Sequence, residues 1–251
     1  MRKFTSKTYI RLLLAINLLT ATILITVVVR EKYPLKVYQK LFSEWNGARK
    51  EYNYLNNGTY HLYTTVYPLY QGQKNIIMLG NSLTSFANWS ELLNRPDAAT
   101  RGIGGDITAG FIGRLNYIID IKPKICFIEG GVNDLIREIQ QDTIIKNLTT
   151  IIDVLQANDI KAVLTTVTLV TEQCIEVKNP AEFNQKVNEL NRQISQLAKT
   201  KDVKLIDLNQ YIANANFLNF EYATGDGIHF TGEVYSIWKR EVETILEQEN
   251  I

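Results

Sequence analysis

Histidine and cysteine are almost missing from this chain, with two of each in 251 residues. His61 and His229 lie far apart without Cys or Glu at zinc spacing, so no metal and no cofactor is expected. Cys126 falls inside an apolar strand-like run and Cys174 in a loop, which argues against a disulfide framework. An excess of one charge is missing too. The 27 Lys and Arg nearly balance the 26 Asp and Glu, and with no basic cluster beyond the first residues, nucleic acid is not an expected partner. Repeats, low-complexity tracts and a second domain after residue 70 are also absent. One catalytic domain with an appendage fits this length and composition.

The one long apolar run is Leu12–Val29, roughly 18 residues without a charge, about the length of a bilayer-spanning helix. Arg2, Lys3, Lys7 and Arg11 precede it. Positive charge on that flank predicts a single-pass anchor in the cytoplasmic membrane with the rest of the chain outside. A cleaved signal peptide fits less well, because the run ends Val27-Val28-Val29-Arg30 where cleavage needs small residues. The expected organisation is a tip and anchor over 1–30, a juxtamembrane segment over 31–73 and a catalytic domain over 74–251. In the middle segment Leu35, Tyr38, Leu41, Phe42 and Trp45 predict an amphipathic helix, and eight of the 13 tyrosines follow or accompany it in an irregular, extended stretch.

The catalytic region is organised around Ile76-Ile77-Met78-Leu79-Gly80-Asn81-Ser82, an apolar run that stops at glycine and delivers a serine. From there strands and helices alternate. Ala99–Ile103, Lys124–Glu129, Ile160–Val170 and Val203–Leu208 read as strands. Helices capped at Asp106, Asp142 and Thr231, and another through Phe183–Leu197, lie between and after them. This alternation predicts an α/β fold with a parallel sheet covered on both faces, and ligands then sit at the carboxyl ends of the strands.

Ser82 at such an end is either a nucleophile or a serine capping a strand-to-helix turn. A serine hydroxyl needs a base, and His229 is the histidine in a setting suited to that work. Asp226, three residues earlier, can hold the second imidazole nitrogen, giving a Ser82–Asp226–His229 triad built by geometry and not by chain position. The chain lacks the GxSxG elbow, since residue 84 is Thr.

Taken with Gly102-Ile103-Gly104-Gly105-Asp106, Gly130-Gly131-Val132-Asn133-Asp134 and Asp226-Gly227-Ile228-His229, the serine block resembles the four blocks of the SGNH (GDSL) hydrolase family over about residues 74–246. The resemblance extends to the platelet-activating-factor acetylhydrolase-like branch. It implies a three-layer α/β/α domain with a flavodoxin-like sheet, and a Ser, Gly, Asn, His series here at Ser82, Gly105, Asn133 and His229. The oxyanion hole would then be the Ser82 and Gly105 N–H groups and the Asn133 amide. Asn81 stands where the family more often has Asp. Asn81 and Trp89 are the candidate substrate-pocket residues, with a packed core as the alternative for Trp89. The expected activity is a serine esterase or acylhydrolase acting through an acyl-enzyme, on acetyl groups of carbohydrate because short connections leave no evident lid or acyl tunnel. A lysophospholipase or lipase, an O-acyltransferase on a cell-envelope glycan, and a non-catalytic binding module are the alternatives.

Overall fold

Five short apolar segments become strands: β1 Ile76–Gly80, β2 Ala98–Gly102, β3 Ile125–Glu129, β4 Lys161–Thr165 and β5 Lys204–Ile206. They form one parallel sheet in the order β2-β1-β3-β4-β5, the flavodoxin-like arrangement. All residues of β1 and β3 are buried, which is why both segments read as continuous apolar runs instead of alternating ones. The computed structural model describes residues 52–70, 72–214 and 216–251, with Thr20 alone before them. Apart from Thr20, the expected anchor over 12–29 and the helix around Leu35–Trp45 lie outside the described residues. Among the described residues, no helix is long and apolar enough to cross a membrane.

The helices are α1 Gly58–Val66, α2 Ser82–Ser85, α3 Trp89–Leu92, α4 Thr108–Ile112, α5 Asn116–Ile119, α6 Val132–Ile136, α7 Gln141–Gln156, α8 Pro180–Lys201, α9 Asn209–Ile212 and α10 Gly232–Gln248. Right-handed crossovers send the connections that run from β2 towards β5 to one face and the β1–β2 connection to the other. Accordingly α4, α7 and α8 pack together, and α3 meets α10 through a Trp89–Trp238 edge contact at 4.9 Å.

Four local expectations change. Over residues 53–70 the Tyr-rich stretch is mostly helical, not extended, and these residues belong to the compact unit Asn53–Ile251. Asn57 caps α1, its Oδ1 accepting from Thr59 N (3.0 Å) and Tyr60 N (3.4 Å). Asp106 does not cap α4. Ile107 occupies that position, and the Asp106 carboxylate is taken by buried Arg114 at 2.9 Å. Asp142 does not cap α7, where Gln140 is the N-cap and Asp142 lies in the first turn. Finally, β4 ends at Thr165, not Val170. Beyond it the backbone is satisfied by asparagine side chains in place of a neighbouring strand: Val167 N donates to Asn191, Leu169 N to Asn209 and Val170 N to Asn184, all at 2.9 Å.

Candidate active site

Gly80 permits the turn that presents Ser82. A Cβ there would stand 2.0 Å from Thr84 Oγ1 and 2.7 Å from the Glu129 carbonyl, so only glycine lets α2 begin this close to the sheet. Asn81 then caps α2, its Oδ1 accepting from Leu83 N at 2.8 Å. Ser82 follows as the first helical residue, half-buried at the carboxyl end of β1.

The loop before α10 brings the imidazole to it. His229 Nε2 lies 2.9 Å from Ser82 Oγ, and His229 Nδ1 lies 2.7 Å from Asp226 Oδ2. The other carboxylate oxygen, Oδ1, accepts from Ile228 N, His229 N and Thr224 Oγ1, each at 3.0 Å. Burial opposes the charge on Asp226, yet the donors from His229, Ile228 and Thr224 outweigh it and hold the carboxyl well below the usual range. An ionised Asp226 can only accept, so Nδ1 carries the proton and Nε2 presents its lone pair to the Ser82 hydroxyl.

Two further groups lie just past β2 and β3. Gly105 has φ +72°, a left-handed conformation suited to glycine. Asn133, in the first turn of α6, donates through Nδ2 to the Asp106 carbonyl at 2.9 Å. That bond fixes the amide and leaves its second hydrogen for another acceptor. Beneath them, Arg114 links three segments: Nε donates to Asp106 (2.9 Å), Nη1 to the Arg101 carbonyl (2.6 Å) and Nη2 to the Gly80 carbonyl (2.9 Å). Buried Asp134 accepts from Thr108 N and Thr108 Oγ1, and burial pushes its carboxyl up to about 6. Neither Arg114 nor Asp134 stood out in the sequence as a site residue; an arginine within an apolar stripe, eight residues after an aspartate, was the available signal.

Both pocket candidates are displaced. Trp89 is fully buried, packed on Trp238, and its Nε1 donates to the Thr84 carbonyl at 2.9 Å. Asn81 is fully buried as well, its Nδ2 donating to Glu129 Oε1 at 3.2 Å. Neither can touch a substrate. The aromatic beside the reacting groups is Phe86, 63% exposed, with its ring 4.9 Å from the His229 imidazole. Ile175, also exposed, is tied to the same loop by donation from its N–H to the Asp226 carbonyl.

This geometry has the residues, order and sheet of one family, and the sequence model for GDSL-like lipases/acylhydrolases matches residues 73–237. The chain belongs to the GDSL-like lipase/acylhydrolase family. As a GDSL-like protein it is a hydrolase acting on ester bonds. The fold is similar to that of a GDSL-like lipase from Bacteroides thetaiotaomicron VPI-5482, with TM-score 0.68 and 24% identity over 76% of this chain and 98% of that one. An acetyl xylan esterase has TM-score 0.56 and 18% identity, covering 68% of this chain and 98% of that one. Among curated proteins, an N-acylneuraminate cytidylyltransferase of Streptococcus agalactiae serotype V is 24% identical over 186 residues, 72% of this chain. The match covers only 40% of that relative's length.

Proposed function

We propose that this GDSL-like hydrolase is a serine esterase that removes short acyl groups, acetyl foremost, from carbohydrate. The observation that carries the reading is the continuous chain from Ser82 Oγ through His229 to a charged Asp226. In the proposed cycle, His229 Nε2 takes the Ser82 proton as Oγ attacks the ester carbonyl. The Ser82 and Gly105 N–H groups and the Asn133 amide hold the oxyanion, the alcohol leaves with the proton from His229, and water deacylates Ser82 by the same route. No step calls for a metal or cofactor. Half-burial of Ser82 beside an exposed Phe86 favours a shallow acyl site over a deep tunnel. The likeness to an acetyl xylan esterase and to a protein named for N-acylneuraminate is in keeping with a sugar alcohol. The uncharged run over 12–29 and its basic flank support an extracytoplasmic, membrane-held site.

The test is release of p-nitrophenol from acetyl, butyryl and octanoyl esters by the full chain, followed by acetate release from acetylated oligosaccharides. Acetyl esters should be the better substrates and acetylated sugars should be deacetylated. Rates that rise steadily with chain length would instead assign the site to lipids. Phe86→Ala should raise KM for p-nitrophenyl acetate about five- to tenfold with kcat little changed, since an exposed aromatic wall contributes about 1 kcal/mol of contact.

A further inference from the structure

The Tyr-rich segment lies upstream of the family match, which begins at residue 73, yet it reaches the turn that carries Gly105. Asn57 Nδ2 donates to the Gly104 carbonyl at 2.9 Å, across 47 positions of chain. That carbonyl belongs to the same peptide unit as the Gly105 N–H. In a trans peptide the two point in opposite directions, so a donor fixed on the oxygen sets where the N–H points. It also polarises the amide and makes the N–H a stronger donor. Gly105 N donates to no acceptor within the described residues.

Asn57 is itself held rigidly. Its Oδ1 is occupied as the cap of α1, so the amide orientation is fixed with Nδ2 turned to Gly104. The segment is packed on both sides of the turn. Ile103, immediately before it, is fully buried in a cluster with Tyr60 and Tyr67, and Tyr60 Oη donates to the Gly110 carbonyl of α4 at 3.2 Å.

We propose that Asn57 is a positioning residue for the oxyanion hole, aiming and polarising the Gly105 N–H from a segment outside the family-matched region. This rests on the reading of Gly105 as an oxyanion donor given above. The variants are Asn57→Asp and Asn57→Ser in the full chain, both of which keep a capping oxygen for α1 while removing the donor to Gly104. With sites counted by a covalent phosphonate, kcat per site for p-nitrophenyl acetate should fall about tenfold in each variant, with KM within about twofold. Inhibition by phenylboronic acid, whose tetrahedral adduct places an oxygen in the hole, should weaken by a similar factor. A merely structural role would lower the number of titrated sites and leave kcat per site and boronate affinity unchanged, and that result overturns the inference. Ser82→Ala in the same assay separates the two levels. Undiminished turnover there removes the serine mechanism itself, whereas an inert Ser82→Ala beside Asn57 variants with wild-type turnover removes only the role of Asn57.

Discussion

Ser82→Ala, His229→Ala and the double variant should all fall to one common floor, with kcat/KM for a short ester about 10⁴ to 10⁶ below wild type. Groups that act as a unit are not additive: once the nucleophile is gone the base has no proton to take, and without the base the hydroxyl is a poor nucleophile. A double variant much slower than either single one would mean that the two residues act independently, against the 2.9 Å contact between them. Asp226→Asn should cost roughly 10⁴ as well, because an amide at this position favours the tautomer with its proton on Nε2. The pH profile carries the same argument. His229 must be neutral to accept the proton, so kcat/KM should fall on the acid side. Asp226 has its carboxyl depressed by four donated hydrogen bonds. It therefore stays ionised throughout the acid limb, which should have a slope of one proton. A slope of two would point to a second group, with the buried carboxyls Asp106, Glu129 and Asp134 as the candidates.

What could be read beforehand follows from which information is local. The runs ending at Gly80, Gly102 and Glu129 became β1, β2 and β3 with the block residues just beyond them, since a strand buried on both faces needs only its own apolar side chains to be recognised. His229 lies within hydrogen-bond distance of both Ser82 and Asp226. The misread positions depend on distant partners. Trp89 was ambiguous because only Trp238, on α10, decides whether it faces the core. The strand through Val170 stops at Thr165 because its neighbours β3 and β5 end there, and the asparagines that take over lie 14 to 40 positions away. Asn57 is a helix cap with a long-range bond, and side-chain donors of this kind reach where periodicity does not look.

Asn81→Asp, which installs the residue more common in this family, should destabilise the chain in a pH-dependent way. Asn81 Nδ2 donates to Glu129 Oε1 and Thr84 Oγ1 to Glu129 Oε2, both within the buried layer behind Ser82. Burial pushes the Glu129 carboxyl up to about 7 against those two bonds. The folded chain thus keeps a proton that the unfolded chain releases in the ordinary carboxylate range, so the contribution of this group to stability declines as pH rises towards 7. A second carboxyl at residue 81 would face Glu129 where an amide now donates at 3.2 Å, and the pair could ionise only singly. The retained proton would then be held well above pH 7, and each further pH unit costs about 1.4 kcal/mol. At pH 5 the variant should lie within about 1 to 2 kcal/mol of wild type, and at pH 8 roughly 3 to 5 kcal/mol below it, the range for a buried charge deprived of its partner. Adding Glu129→Gln should restore most of the loss, because the glutamine amide can donate to the carboxylate introduced at position 81 while its carbonyl still accepts from Thr84. Guanidinium midpoints at pH 5 and pH 8 for wild type, Asn81→Asp and the double variant decide the matter. Equal midpoints for the single variant and wild type at pH 8 would show that the layer behind Ser82 tolerates two charges, and that asparagine at 81 is not there because its partner is a glutamate.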